Sequence, residues 1–336
     1  MKYLILIAIL FVTFLGCTKK QHHKQPKKFE NKKILKGTII NFEDTPLCPD
    51  RVSTYDSLLL LKNWKNCNKY FFYIYNKNSK LLGKFGKKGR GPSEFIKPHI
   101  YGNQFNVLNK ALHLWVFDFQ SQRLKNINIQ KSISNPTASP SQIISIPNKI
   151  GTVTKVINLP KKLIGKSISS KGRMFFYNKE STEIKWINFI PKVKNEPKDI
   201  HNLYNAQIDI KPDRSKIVSA LRYFNRIDMF DLNGNLKMSL TSKRDNKDPS
   251  TTNSKKQYYF DVYCTNKYIY ALKGGFSLKK LKKGKDLQFK VEVYNWDGKP
   301  IRLYKLDRFI GSIVIDNAQR YIYGISKKQK IIRYNL

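Results

Sequence analysis

The sequence predicts an all-β protein, a six-bladed β-propeller whose ring is closed by an N-terminal strand that completes the last blade. Three observations carry this reading. An aromatic residue followed by Asn or Asp recurs at the end of six apolar runs: Tyr75-Asn76, Phe117-Asp118, Tyr177-Asn178, Phe230-Asp231, Tyr294-Asn295 and Tyr334-Asn335. The spacings, 40 to 64 residues, are those of a four-stranded blade with its loops. Five copies lead through a polar turn into a second apolar run, whereas the sixth has none before Leu336, and residues 34–40 form a strand-like run without a hairpin of their own. The two deficits match, and pairing them removes two exposed edges.

Composition agrees with a large packed core. In 336 residues, 40% are hydrophobic and 20 Phe and 19 Tyr are present, which excludes a chain disordered throughout. Residues 1–16 read as a secretion signal: the apolar run 3–15 is too short for a bilayer, which takes about 20 residues. That run ends in Phe14-Leu15-Gly16-Cys17, which resembles a bacterial lipobox with Phe14 where Leu is usual, so the Cys17 thiol is expected to carry diacylglycerol. Residues 17–33 hold seven lysines among His, Gln, Asn and Pro with no apolar periodicity, and read as a flexible basic tether that adds attraction to anionic head groups. Lysines rather than acids follow the cysteine, which favours the periplasmic face of the outer membrane over the cell surface.

Residues 34–336 make the propeller. The runs that follow the first five dyads are 81–85, 124–129, 184–189, 236–240 and 301–306, and two of the turns contain Asn233-Gly234 and Asp297-Gly298, which accept the positive φ angles of a tight hairpin. The tract Tyr70-Phe71-Phe72-Tyr73-Ile74-Tyr75 is apolar on both alternating faces, as a sheet covered on both sides requires. Loops at 131–149, 241–257 and 279–285 account for the long intervals.

Two stretches resemble the TolB-like six-bladed β-propeller lipoproteins of Gram-negative envelopes. One is Phe85-Gly86-Lys87-Lys88-Gly89-Arg90-Gly91-Pro92-Ser93-Glu94-Phe95, similar to that family's glycine loop with Ser93 in place of a glycine, and also to the linker of NHL-repeat propellers. The other runs from Tyr294-Asn295-Trp296-Asp297-Gly298-Lys299-Pro300 through Ile313-Val314-Ile315-Asp316 to Tyr321-Ile322-Tyr323-Gly324. The resemblance spans about residues 35–336 and implies a fold and an address rather than a reaction.

Candidate chemistry is sparse. The glycine loop lacks the third glycine of a dinucleotide fingerprint and the Gly-Lys-Ser/Thr of a P-loop, and is read as a crossover between blades plugged by Phe95. Within it Arg90 and Glu94 are the candidate binding residues, equally able to pair with each other. Arg222, with Tyr223 beside it near a strand end in the fourth blade, is a candidate for the central funnel. The five histidines form no zinc or triad signature, and Asp231-Leu232-Asn233-Gly234 lacks the closing Glu of a calcium loop, so no cofactor or metal is expected. Three cysteines remain beyond Cys17: a Cys48–Cys67 disulfide stands against three buried thiols including Cys264. The net charge of +41 comes from lysines spread through every turn, without a recognition motif and behind an export signal, so no nucleic-acid partner is expected. The sequence thus predicts a monomeric, lipid-anchored binding or scaffold propeller for a peptide, glycan or protein; the alternative is an extracytoplasmic hydrolase or lyase with its site on the propeller axis.

Overall fold

The computed structural model of the protein describes residues 22–24, 28–44, 46, 48–64, 67, 69–168, 171–241, 249, 256–283 and 287–336. The signal segment and Cys17 lie outside the described residues. Among the described residues no helix is long and apolar enough to cross a membrane.

Six antiparallel sheets form a ring, each starting at the axis and stepping outward. Blade one comprises Pro49–Tyr55, Leu58–Asn63, Tyr70–Asn76 and Leu81–Lys87 in that order. The innermost strands of blades three to six are Val153–Asn158, Ala206–Ile210, Lys256–Cys264 and Ile310–Ile315. In blade two the axis side is lined by Pro98–His99 and Phe105–Leu108, both paired with Ala111–Asp118. Adjacent blades share their cores, as the tract at 70–75 anticipated. One face, with Tyr73 and Tyr75, packs on Phe42, Val314 and Tyr323 of blade six. The other, with Phe72 and Ile74, packs on Phe85, Phe95 and Leu114 toward blade two. Each such buried side chain contributes about 1.5–3 kcal/mol.

The dyads mark turns because the Asn or Asp side chain caps them. Asn76 Oδ1 accepts from Asn78 N and Lys80 N, Asp231 Oδ1 from Asn233 N and Asn235 N, and Asn295 Oδ1 from Asp297 N and Lys299 N. Five dyads close the third strand of a blade. Phe117-Asp118 instead closes the second strand of blade two, and Asp118 accepts from Ile96 N and Lys97 N in the link from blade one. The run at 124–129 is accordingly mostly the third strand, Arg123–Asn128. The outer strand, Gln142–Ser145, lies within what the sequence reads as a loop, behind the short helix Ile129–Ser134. Likewise the basic loop at 279–285 opens as a helix, Leu278–Lys283.

Ring closure is present, carried by a shorter segment than 34–40. Thr38–Ile40 pairs antiparallel with Ile331–Asn335 as the outer strand of blade six. Lys32–Leu35 instead pairs parallel with Pro300–Leu306 on the edge of blade five. Between them Gly37 passes so close to the sheet that a Cβ there would lie 2.4 Å from Ile332 Cγ2 and 2.7 Å from Tyr334 Cε1. The segment expected to be a featureless tether also carries structure. His22–Lys24 pairs parallel with the outer strand of blade four, Leu236–Thr241, and the Phe29 ring sits 5.3 Å from that of Tyr294. Two short parallel pairings, at 22–24 and 32–35, and one half-buried aromatic contact at Phe29 seat these segments on blades four and five, a pattern too brief to register as periodicity.

Candidate functional site

At the axis, carboxylates and amides of the inner strands tie blades together. Asp209 of blade four accepts from Asn103 N at 2.9 Å and Cys264 N at 2.6 Å, reaching blades two and five. Gly102 adopts a φ of +66° beside it, and a Cβ there would meet Asp209 Oδ1 at 2.9 Å, so this approach needs glycine. Asp261 of blade five accepts from Ile313 N of blade six and pairs with Arg51 of blade one. Burial pushes the Asp209 carboxyl up to about 7, against the pull of its amide donors and Arg51. Burial and the neighbouring Asp209 raise the Cys264 thiol well above its usual range, so it is a core thiol rather than a nucleophile. Among the described residues no cluster of three or more His, Cys, Asp or Glu is placed to hold a metal ion.

Next to this plug, on the face that carries the links between blades, a pocket of about 440 Å³ opens between blades two, three and four. Its wall contains Lys97, His99, Tyr101 and Phe119 from blade two, Lys155 and Lys166 from blade three, and Asp199, His201, Asn202 and Asn205 from the link into blade four. A register shift between Val153 and Lys155 lets consecutive residues, Thr154 with Lys155 and Lys166 with Ser167, reach the pocket. Lys155 lies on the innermost strand of blade three and Lys166 near the end of the next, Lys162–Ser167, so both ammonium groups reach the segment that begins blade four. Lys155 Nζ donates to Ala206 O and Gln207 Oε1, each at 2.7 Å, and Lys166 Nζ donates to Tyr204 O at 2.7 Å. His99 stacks on Tyr101 with ring centroids 5.5 Å apart, and Phe119 stands edge-on to it.

The electrostatics are those of crowded cations. Burial lowers the Lys155 amine to about 7, with Arg222 and Arg51 adding to the fall and Asp261 opposing it. Lys166, 5% exposed, is lowered well below the ordinary lysine value by burial and then by Lys155 and Arg173. His99 falls to about 3 through burial and the surrounding lysines, and burial lowers His201 as well. The pocket therefore offers amines and imidazoles of weakened basicity beside an aromatic wall.

Of the residues singled out from sequence, Arg222 comes nearest. It follows Lys216–Leu221 directly, its amide donates to Asn205 O on the pocket wall, its Nε donates to Gln257 Oε1 at 2.8 Å, and its guanidinium lies over the Phe260 ring. Tyr223 turns instead toward the small cluster around Leu203 and Phe224. Arg90 and Glu94 do not join the pocket. Glu94 accepts from the Gly91 amide at 2.9 Å, its carboxylate fills the space a Gly89 side chain would need, and Lys125 Nζ donates to the carbonyls of Gly91, Pro92 and Glu94. Phe95 is fully buried against Phe72, so the loop is built as a crossover, and the exposed Arg90 faces a separate groove with Asp118 and Arg123. Cys48 and Cys67 are joined in a disulfide, Cα atoms 6.1 Å apart, and Cys264 is the buried free thiol. Sequence reasoning missed Lys155 and Lys166. Their signal was position: most lysines punctuate turns, whereas these two sit inside apolar strands.

The family described as TolB-like 6-blade propeller-like matches residues 11–318. Among solved structures, a DUF4221 family member from Bacteroides vulgatus aligns with a TM-score of 0.61 at 12% identity over 93% of this chain and 98% of that one. A Bacteroides fragilis protein described as exported aligns at 0.56 and 12% identity over 94% and 98%. Virginiamycin B lyase from Staphylococcus aureus aligns at 0.50 and 10% identity over 90% and 99%. At these identities the likeness is one of fold alone. No curated protein matches the sequence.

Proposed function

The chain belongs to the TolB-like six-bladed propeller family, and from that premise we propose a lipid-anchored extracytoplasmic binding propeller that holds a peptide, glycan or protein ligand at the pocket between blades two, three and four. The observation that carries this reading is the pocket itself, where aromatic rings, amides and two inward lysines from three blades converge. The lipobox at Cys17 and the polybasic stretch after it support anchoring, on the periplasmic face of the outer membrane, and the exported relative from Bacteroides fragilis is consistent with an envelope address. Cys17 lies only five residues before His22, whose strand is seated on blade four. At 3.6 Å per extended residue, the lipid holds the rim of that blade within roughly 18 Å of the bilayer.

One observation favours the enzymatic alternative. An amine near neutrality at Lys155, with His99, His201 and Asp199 on the same wall, is what a proton-transfer step in a hydrolase or lyase uses. Purified protein incubated with fractionated envelope glycans and peptides separates the two readings. Recovery of an unchanged ligand, reduced by Lys166→Met, supports binding; a product whose formation stops in Lys155→Met supports catalysis. Cys17→Ser is expected to leave the membrane fraction after a high-salt wash, and its retention there would refute the lipid anchor.

A further inference from the structure

The pocket's charges are unbalanced. Lys155 and Lys166 end on neutral acceptors, a backbone carbonyl each and the Gln207 amide, and retain donors beyond those bonds. Among the described residues neither amine forms an ion pair with a carboxylate, Asp261 acting on Lys155 only from across the axis, and buried amines with so little counter-charge are complementary to an anion. Both terminate on the stretch 204–207, so one small group can reach both. The neighbouring wall carries the Tyr101 and Phe119 rings, with Lys97 Nζ 5.0 Å over Phe119 and His99 stacked on Tyr101. Resting on the binding reading above, we propose that the pocket binds a small ligand through an oxyanion, a carboxylate or phosphate group seated between Lys155 and Lys166, with the body of the ligand against Tyr101 and Phe119.

Binding is then coupled to proton uptake. Lys155 is faced by Arg51 and Asp261 across the axis, by Arg222 from blade four, by His99 and the Tyr101 ring from blade two, and by Lys166 from its own blade. Lys166 is faced in addition by Arg173 and by His201, with Asp199 and Lys97 at the rim. Burial first, and then the cations that outnumber carboxylates in that set, lower both amines, Lys155 to about 7. An incoming oxyanion reverses the imbalance and raises their proton affinity, so binding weakens as pH rises above 7, by up to about tenfold per pH unit for each proton taken up.

Calorimetric titration of the full-length protein at pH 7.5, in two buffers of different protonation enthalpy, tests this. The probes are glucuronate and inorganic phosphate, with glucose as the uncharged control. The proposal expects both anions to bind, glucose not to, and about one proton to be taken up per ligand. The tighter anion identifies the source of the oxyanion. Lys166→Met is expected to weaken either anion at least tenfold while melting no lower than wild type, since it removes an uncompensated buried amine. Glucose binding as tightly as glucuronate, heats that do not change between buffers, or unaltered affinity in a folded Lys166→Met would each overturn the proposal, as would no binding of either anion at 10 mM. The broader binding reading stands or falls separately, on the ligand recovered from envelope fractions.

Discussion

Replacing Asp228 by Asn probes the seam between blades three and four. Asp228 is fully buried and accepts from Arg226 Nε at 2.8 Å and from Ser239, while pairing with Arg173 across the seam. Asparagine keeps the shape and removes the charge, leaving two buried guanidinium groups without a counter-ion. Breaking a buried pair in this way costs about 3–5 kcal/mol. For roughly 300 ordered residues the unfolding entropy at the midpoint is about 0.6 kcal/mol per degree, so the melting temperature falls by about 5–8 °C. The pH dependence follows from the pair. Burial alone would raise the Asp228 carboxyl, but Arg173 and Arg226 outweigh it and hold the pKa below the ordinary value. Its stabilisation is therefore complete above the unfolded value of about 4 and is lost as pH falls through the folded value. The gap between wild type and Asp228→Asn is expected to stay constant from pH 5 to 8 and to narrow below pH 4 in calorimetric scans. A gap under about 1 °C at pH 7, or one that widens in acid, would refute the reasoning.

Two further perturbations address the closure and the glycine loop. Gly37→Val drives a branched side chain into Ile332 and Tyr334, at about 1–3 kcal/mol, and should speed amide exchange at 38–40 and 331–335; unchanged protection there would contradict closure by this strand. Gly89→Ala displaces the Glu94 carboxylate from the Gly91 amide and should cost about 1–2 kcal/mol, whereas the exposed Arg90→Ala should stay within about 0.5 kcal/mol and add independently to Glu94→Ala. Strong coupling between the two alanine variants in thermal melts would mean that they are partners after all.

The blade repeat was legible because each copy solves the same local problem. A strand that ends in a turn needs an acceptor for the turn amides, and an aromatic before that acceptor fills the space between sheets. The same logic explains the slip in blade two, since Asp118 satisfies amides of a different link and its side chain is the same signal for both tasks. The pairings at 22–24 and 32–35 were illegible for another reason. These strands of three and four residues gain their stability from edges already formed by blades four and five, so nothing in their own sequence announces pairing. Arg222 was singled out at a strand end, and its amide donates to Asn205 O on the pocket wall. Lys155 and Lys166 became visible only when three blades met, because the meaning of a lysine inside an apolar strand depends on whether that position faces a neighbouring sheet or a cavity.

The account turns on the Lys155 amine, lowered to about 7 at the pocket, and competitive labelling measures that state directly. An ordinary lysine has only about one part in a few thousand as free amine at pH 7, whereas an amine with a pKa of about 7 has roughly half. Trace reductive methylation at pH 7, read by peptide mass spectrometry, is therefore expected to modify Lys155, lowered to about 7, ahead of the exposed Lys97 on the same pocket rim. That advantage is expected to shrink at pH 10.5, and glucuronate or phosphate should slow Lys155 selectively. Lys155 reacting no faster than Lys97 at pH 7, with no effect of either anion, would contradict the account.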